Sequence, residues 1–225
     1  MRWFLDNWTE IRGLAWRHLW LSVIPVVLGF AIAVPIGYAA RRWRLGGSTL
    51  VSIASVVYTV PSIALLVILP GLLGTSFLDP LNVLIVLTIY AVAVMVRAAA
   101  DGFGSVSEAV VDAARASGYS AWQRVLQVEL PLAGPVLLAG VRVVSVSTVS
   151  LATISPLVGV SNLGSLFTDG FQRYFATEIV IGVLCVVVLA LLLDLLWVLI
   201  GRVAMPWLRP ARTGRAVRAG LRGAR

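Results

Sequence analysis

The sequence predicts an all-α integral membrane protein with about five transmembrane helices and a short helical unit between the third and fourth. Three observations carry that prediction. The chain of 225 residues is 60% hydrophobic and only 12% charged, whereas an ordinary globular domain carries about 25% charged residues. Its mean hydropathy is +0.97. The apolar residues are gathered into runs close to the ~20 residues that a helix needs to cross a bilayer, and the charges collect between the runs.

Each element follows in order. Residues 1–17 have no apolar core of the cleavable-leader kind; Phe4, Trp8, Ile11 and Ala15 recur at helical spacing, with Trp3, Trp16 and Trp20 beside them. This predicts an amphipathic segment lying at the outer membrane interface. Residues 18–207 form the transmembrane domain. Span one covers 21–40, uncharged and closed by Arg41, Arg42 and Arg44. Residues 45–78 hold no charge yet are too long for one helix; Pro70, Gly71 and Gly74 break them and leave span two at 48–69. Pro61, in the middle of that span, removes a backbone hydrogen bond and predicts a kink. Asp79 and Arg97 bracket span three at 80–96, span four falls within 133–157, and span five runs over 179–201 between Glu178 and Arg202. Residues 208–225 are a basic cytoplasmic tail without a single acid, predicted to be disordered and attracted to anionic headgroups.

Arginine placement sets the orientation. The 41–47 turn holds three arginines, the 97–131 segment holds Arg97, Arg115 and Arg124, and the stretch from 202 onward holds seven. Residues 70–79 hold none and 158–178 only Arg173. The positive-inside rule therefore places the N-terminus outside and the C-terminus, with the 97–131 segment, in the cytoplasm. Arg2, Arg12 and Arg17 fit that orientation less well.

Composition also excludes function classes. All 18 basic residues are arginine, so the lysine that a P-loop needs to reach phosphates is absent, and the chain does not hydrolyse ATP itself. With one histidine, His18, and one cysteine, Cys185, neither a His/Cys metal cluster nor an internal disulfide is expected. Cys185 reads as a small packing residue. No catalytic residues are assigned, because the acids do not cluster and no nucleophile–base set is visible. The net charge of +8 follows the positive-inside bias rather than pointing to nucleic acid. No internal repeat of the kind common in secondary carriers is present.

The segment "EAVVDAARASGYSAWQRVLQVELP" (108–131) stands apart from the runs around it. Ser105 and Glu108 have the spacing of a capping box that opens a helix. Gly118 suits the left-handed residue that closes one. Ser120 and Gln123 form a second box, opening a helix that ends before Pro131. Ala109, Ala113 and Ala116 leave room for another backbone to approach, and Asp112 and Arg115 offer polar contacts. A helix held between two spans moves both when it is pushed, which makes it a docking element; a linker helix that merely covers the bundle is the alternative.

Asp112-Ala113-Ala114, Gly118, Val128 and Leu130-Pro131 resemble the EAA-x3-G-x9-I-x-LP signature of ABC importer permeases, with Asp for Glu and Val for Ile. The stretches "HLWLS" (18–22), "YTVPSIALLVILPGLLG" (58–74), "LTIYAVAVMVRA" (87–98) and "ELPLAGPVLLAGVRVVSVS" (129–147) look like the osmoprotectant subfamily, whose members import quaternary amines such as glycine betaine, carnitine and choline. "LVGVSNLGSLFTDGF" (157–171) is similar to that subfamily's outer loop, except that Ser161-Asn162 stand where two glycines are common. The resemblance covers about residues 16–207. It implies a permease subunit of a type I importer in the bacterial cytoplasmic membrane, working by alternating access. It implies that Glu108, Asp112, Ala113, Ala114, Arg115, Gly118, Tyr119, Leu130 and Pro131 couple to a separate ATPase subunit that binds the ATP and Mg. It also implies an extracytoplasmic substrate-binding protein and a second permease chain, the same or similar. Two alternatives stay open: a permease for another small solute such as an amino acid, and a membrane scaffold that transports nothing.

Further residues invite placement. Arg142 and Asp194 are hard to keep in water and tend to pair if they lie in the inner half of the membrane, which predicts a buried ion pair; the other placement sets span four at 143–160 with Arg142 at the headgroups. Span four is rich in hydroxyls, and Ser145 and Thr148 either line a pathway or bond to the backbone as packing residues. Tyr58, Pro61 and Tyr90, inside spans two and three, are further lining candidates. Selection of the ligand itself is assigned, on the resemblance, to the binding protein.

Overall fold

A computed structural model describes residues 2–43 and 47–208, in which the regular structure is helical. The basic tail expected over 208–225 lies outside them apart from Leu208, as does Arg44. After a short helix α1 (Arg2–Asp6), α2 runs unbroken from Trp8 to Arg42. The segment expected to lie along the interface at 1–17 is, from Trp8 onward, helically continuous with span one. The reason is packing: Ile11 and Leu14 are buried against Leu163 and Leu166, while Trp16 and Trp20 stay exposed.

The next uncharged run holds two helices, α3 (Gly47–Thr59) and α4 (Ser62–Leu73), bent by 96° at the break between them. Where a single kinked span is expected at 48–69, two helices meet at a near right angle. Pro61 has an extended backbone and stands ahead of α4 rather than inside a helix. The Tyr90 hydroxyl donates to the Val60 carbonyl that the break leaves open, the kind of substitution that irregular backbone needs inside a membrane. Pro70, expected to end the run, lies within α4, and the helix stops at Gly74, whose φ of +68° suits only glycine well.

α5 (Pro80–Gly104) starts at a cap in which Asp79 Oδ1 accepts from the Leu81 N–H at 2.9 Å, with proline at the first turn. A short helical unit follows and leads into α8 (Leu130–Ala152); then come α9 (Ser165–Gln172) and α10 (Ala176–Ala204). Among the described residues, four helical stretches are long and apolar enough to cross a membrane, and the bent α3–α4 pair makes a fifth span if taken as one.

Small residues decide how the spans meet. Gly29, Ala33, Gly37 and Ala40 lie on one buried face of α2. A Cβ placed on Gly29 would stand 2.6 Å from Ala91 Cβ, and one on Gly37 would stand 2.4 Å from Ala99 Cβ and 2.8 Å from the Ala100 nitrogen. A Cβ on Gly140 of α8 would likewise meet Ala98 Cβ of α5 at 2.5 Å. Helix association in lipid depends on such close backbone approach, since lipid tails are as apolar as the side chains they would replace. Val26, Met95, Val96, Phe103, Leu137, Val141 and Val144 fill the remaining space of this α2–α5–α8 core.

The bundle has a proximal end, where residues 104–131 and 205–208 lie, and a distal end formed by residues 74–79 and 153–175. At the distal end His18 Nε2 is 3.0 Å from the Val149 carbonyl. Buried Asn162 donates to the Ala152 carbonyl at 2.8 Å and accepts from the Gly164 N–H at 2.7 Å, so the asparagine at the position where glycine is common folds its own loop back onto α8.

Gly37→Leu should lower the thermal midpoint of the detergent-purified protein strongly, because overpacking typically costs about 1–3 kcal/mol and the Ala100 backbone cannot yield. Gly13→Ala, with nothing within 4 Å of the added methyl, should leave the midpoint unchanged or slightly raised.

Candidate functional site

The candidate site is the unit between α5 and α8. α5 continues past the expected end at 96 to Gly104, and this changes the use of Ser105: its hydroxyl donates to the Gly102 carbonyl at 2.7 Å and closes α5. The capping box expected between Ser105 and Glu108 does not form. The next helix, α6 (Glu108–Ala116), starts after Ser107 without a side-chain cap. It ends in a full Schellman turn: the Gly118 N–H bonds the Arg115 carbonyl at 3.0 Å and the Tyr119 N–H bonds the Ala114 carbonyl at 3.1 Å, with Gly118 at a φ of +84°. The box of Ser120 and Gln123 is complete and opens α7 (Ala121–Arg124).

A π-turn over Val125–Glu129 joins α7 to α8, with the Leu130 N–H reaching back to the Val125 carbonyl. Pro131 is the physical cause. Its ring removes a donor and crowds the carbonyl four residues earlier, and a wider turn relieves that crowding.

On the unit, Glu108, Asp112, Ala113, Arg115, Gly118 and Tyr119 are exposed, Ala114 is buried, and Leu130 and Pro131 are half-buried. Ala109 and Ala116 share the exposed face, and Arg115 pairs with Asp112 at 2.8 Å within it. Trp122 (70% exposed), Val110 and Leu126 add an uncovered apolar patch beside these charges, which is uncommon unless a partner covers it. Behind α6 lies a cleft of roughly 540 Å³ lined by Arg41, Arg42, Phe103, Val111 and Glu129, among others.

Glu129 was not singled out by the sequence, and it is the best-held charge of the unit. Its carboxylate is 6% exposed; Oε1 accepts from Arg42 Nη2 at 2.8 Å and from Arg124 Nε at 3.3 Å. Arg41 Nη2 stands 3.7 Å from Glu108 Oε1. The readable signal was an acid directly before Leu130-Pro131, in a chain whose first span ends in adjacent arginines.

The remaining candidates lie away from this unit. Arg142 Nε and Nη2 bond the two Asp194 oxygens at 2.6 and 2.8 Å, bridging α8 to α10. The pair is not enclosed by this chain: the side chains are 43% and 27% exposed, because the neighbouring Val143, Val146, Leu191 and Leu195 also face outward. Ser145 and Thr148 are buried in the core, and Thr148 donates to the Val144 carbonyl at 2.8 Å, so neither lines an open path in this chain. Tyr90 is buried and serves the α3–α4 break; exposed Tyr58 meets it edge to face at 5.7 Å. Pro61 is exposed at the bend. Cys185 is half-buried and packs beside Ile11, Leu14 and Leu163. The arrangement presents an exposed helical surface between α5 and α8.

The chain is similar to known proteins over most of its length. Residues 26–210 match the family described as binding-protein-dependent transport system inner membrane component. The chain is 31% identical over 191 residues to the carnitine transport permease protein OpuCB of Listeria monocytogenes, covering 85% of this chain and 86% of that one. It is 29% identical over 194 residues to the glycine betaine/carnitine/choline transport system permease protein OpuCB of Bacillus subtilis, covering 86% and 88%. Among solved structures, an inward-facing conformation of the MetNI methionine ABC transporter shares the fold with a TM-score of 0.77 at 24% identity, covering 88% of this chain and 96% of that one.

The Gly118 turn is open to a direct check. A β-branched residue at that φ is strained by about 1–3 kcal/mol, so Gly118→Val should speed tryptic cleavage at Arg115 and Arg124 at least several-fold. Gly118→Asn, which tolerates the left-handed conformation, should stay close to wild type.

Proposed function

This chain belongs to the family of binding-protein-dependent transport system inner membrane components, and from that membership we propose that it is the membrane-spanning subunit of an ATP-driven importer of quaternary-amine osmoprotectants such as glycine betaine, choline and carnitine. It is a transport subunit, not itself a catalyst. The observation that carries the proposal is the exposed α6–Gly118–α7 unit, anchored to the bundle by Arg42 and Glu129. The substrate class is supported by relatives that resemble this chain along most of its length.

In this reading the proximal end is cytoplasmic and the N-terminus is outside, in the bacterial cytoplasmic membrane. A separate ATPase subunit binds ATP and Mg and seats α6. Its closure moves α6, and α5 and α8, which leave from either side of the unit, carry that motion to the distal end. Ala109, Ala113 and Ala116 admit the partner's backbone while Asp112 and Arg115 supply polar contacts. Because five spans do not enclose a pathway alone, a second permease chain, the same or similar, completes it. An extracytoplasmic binding protein selects the solute and delivers it to the distal end. Arg142 and Asp194, held against each other, keep α8 and α10 together in the apolar phase during the cycle.

Uptake of labelled choline and glycine betaine at high osmolarity, in cells with and without this chain but with its ATPase and binding protein in both, tests the proposal. Uptake that needs both this chain and ATP is expected. Equal uptake in the two strains removes the osmoprotectant assignment.

A further inference from the structure

We propose that ATPase-driven movement of α6 reaches span one directly, through the Glu129 carboxylate, so that α2 is a driven element alongside α5 and α8. The proposal rests on the transport function above and adds a route that chain connectivity does not supply, since α2 is 87 residues away from Glu129 in sequence at the contact made by Arg42.

Two adjacent arginines at the foot of α2 straddle the coupling unit. Arg41 faces the first residue of α6, Glu108, at 3.7 Å, and Arg42 bonds the last residue of the π-turn, Glu129, at 2.8 Å. The first contact is exposed on both sides and contributes little by itself. The second has a buried acceptor. Removing one partner of such a pair leaves a charge stranded, so the pair resists separation. Arg42 is also held in place before it meets the carboxylate: its Nε donates to the Tyr38 hydroxyl at 3.2 Å and its guanidinium lies over the Tyr38 ring at 5.4 Å. Tyr38 in turn packs edge to face on Phe103 of α5, 5.1 Å between ring centres. Arg124, from α7, meets the same Glu129 oxygen. One carboxylate thus joins the helix after the coupling turn, the start of α8 and the end of α2.

Its position on the chain gives the contact mechanical sense. Glu129 closes the π-turn, where the regular α-helical bonding pattern is interrupted between α7 and α8. A hinge there would let α7 tilt without moving α2, and the two arginines bridge that hinge. At the distal end His18 already fastens α2 to the α8 carbonyl of Val149. With both ends tied, span one travels with span four as one rod. Glu129 is a positioning residue: it touches no solute and no nucleotide.

The test uses the complete complex of this chain, its ATPase and its binding protein in liposomes, comparing wild type, Glu129→Gln, Arg42→Gln and the double variant. The readout is ATP hydrolysed per choline or glycine betaine taken up, a ratio independent of how much protein inserts. Each single change is expected to raise that ratio on the order of tenfold, within the usual range of site-to-site coupling, while ATP turnover stays within about twofold. The double variant is expected to be no worse than the worse single, because both remove the same contact. If Glu129→Gln fails to insert, Arg42→Gln carries the test, since it cuts the α2 tie and leaves Arg124 on the carboxylate. Singles with the wild-type ratio, or a double equal to the product of the singles, would overturn the proposal. A wild-type complex that couples no ATP to uptake removes the transport reading, and this proposal with it.

Discussion

The close approach of α2 and α8 to α5 is the constraint on which the rest depends. In lipid no hydrophobic gain drives one apolar helix onto another, so association needs surfaces that let backbones come near. Gly29 and Gly37 of α2 meet Ala91 and Ala99 of α5, and Gly140 of α8 meets Ala98. The result is a three-helix block with α5 at its centre. By contrast, α10 buries few residues, among them Gly182 and Gly201, and α3–α4 bury only Gly47, Leu66 and Pro70. Those outer elements keep wide apolar faces for lipid or a second chain.

Polar ties then fix the block where packing alone would allow sliding. Each carries ionised or hydrogen-bonding groups that would be costly to leave unmade near hydrocarbon. Arg142 and Asp194 join α8 to α10. His18 and Asn162 hold the distal ends of α2 and its neighbouring loop to α8, and Arg173 on Glu178 anchors the turn before α10. Glu129 does the same at the proximal end, where the exposed α6 surface lies. A push on α6 therefore meets a stiff body rather than separate helices, and stiffness is what the proposed alternating access requires of the part that carries force.

The fold was legible where a single residue type imposes its own geometry. Gly118 takes the left-handed conformation, Ser120 and Gln123 cap α7 reciprocally, and Asp79 with Pro80 starts α5. The bounds of span five came within a turn of the observed helix, because Glu178 and Arg202 mark them, and those of span four within a turn or two. What escaped was whatever depends on a partner distant in sequence. Ser105 looked like the start of α6 but closes α5, since both roles use the same hydroxyl and only the length of α5 decides between them. Pro61 promised a kink and gave a right-angled break, which is tolerable only because Tyr90 satisfies the freed carbonyl. Of the span-four hydroxyls, those of Ser145 and Thr148 are buried in the core. Glu129 drew no attention because its two arginines come from separate elements, while Arg142 and Asp194 stood out only because charges are scarce in those runs.

The central claim is that the exposed face of α6 is the seat of an ATPase subunit. Photo-crosslinking residues placed singly at Ala109, Ala113, Ala116 and Ala114 in the assembled complex test it most directly. The first three face outward and Ala114 faces the bundle, so covalent capture of the ATPase is expected from the three outer positions and not from Ala114. Capture from Ala114 alone, or from none of the four in a complex that still transports, would contradict the account.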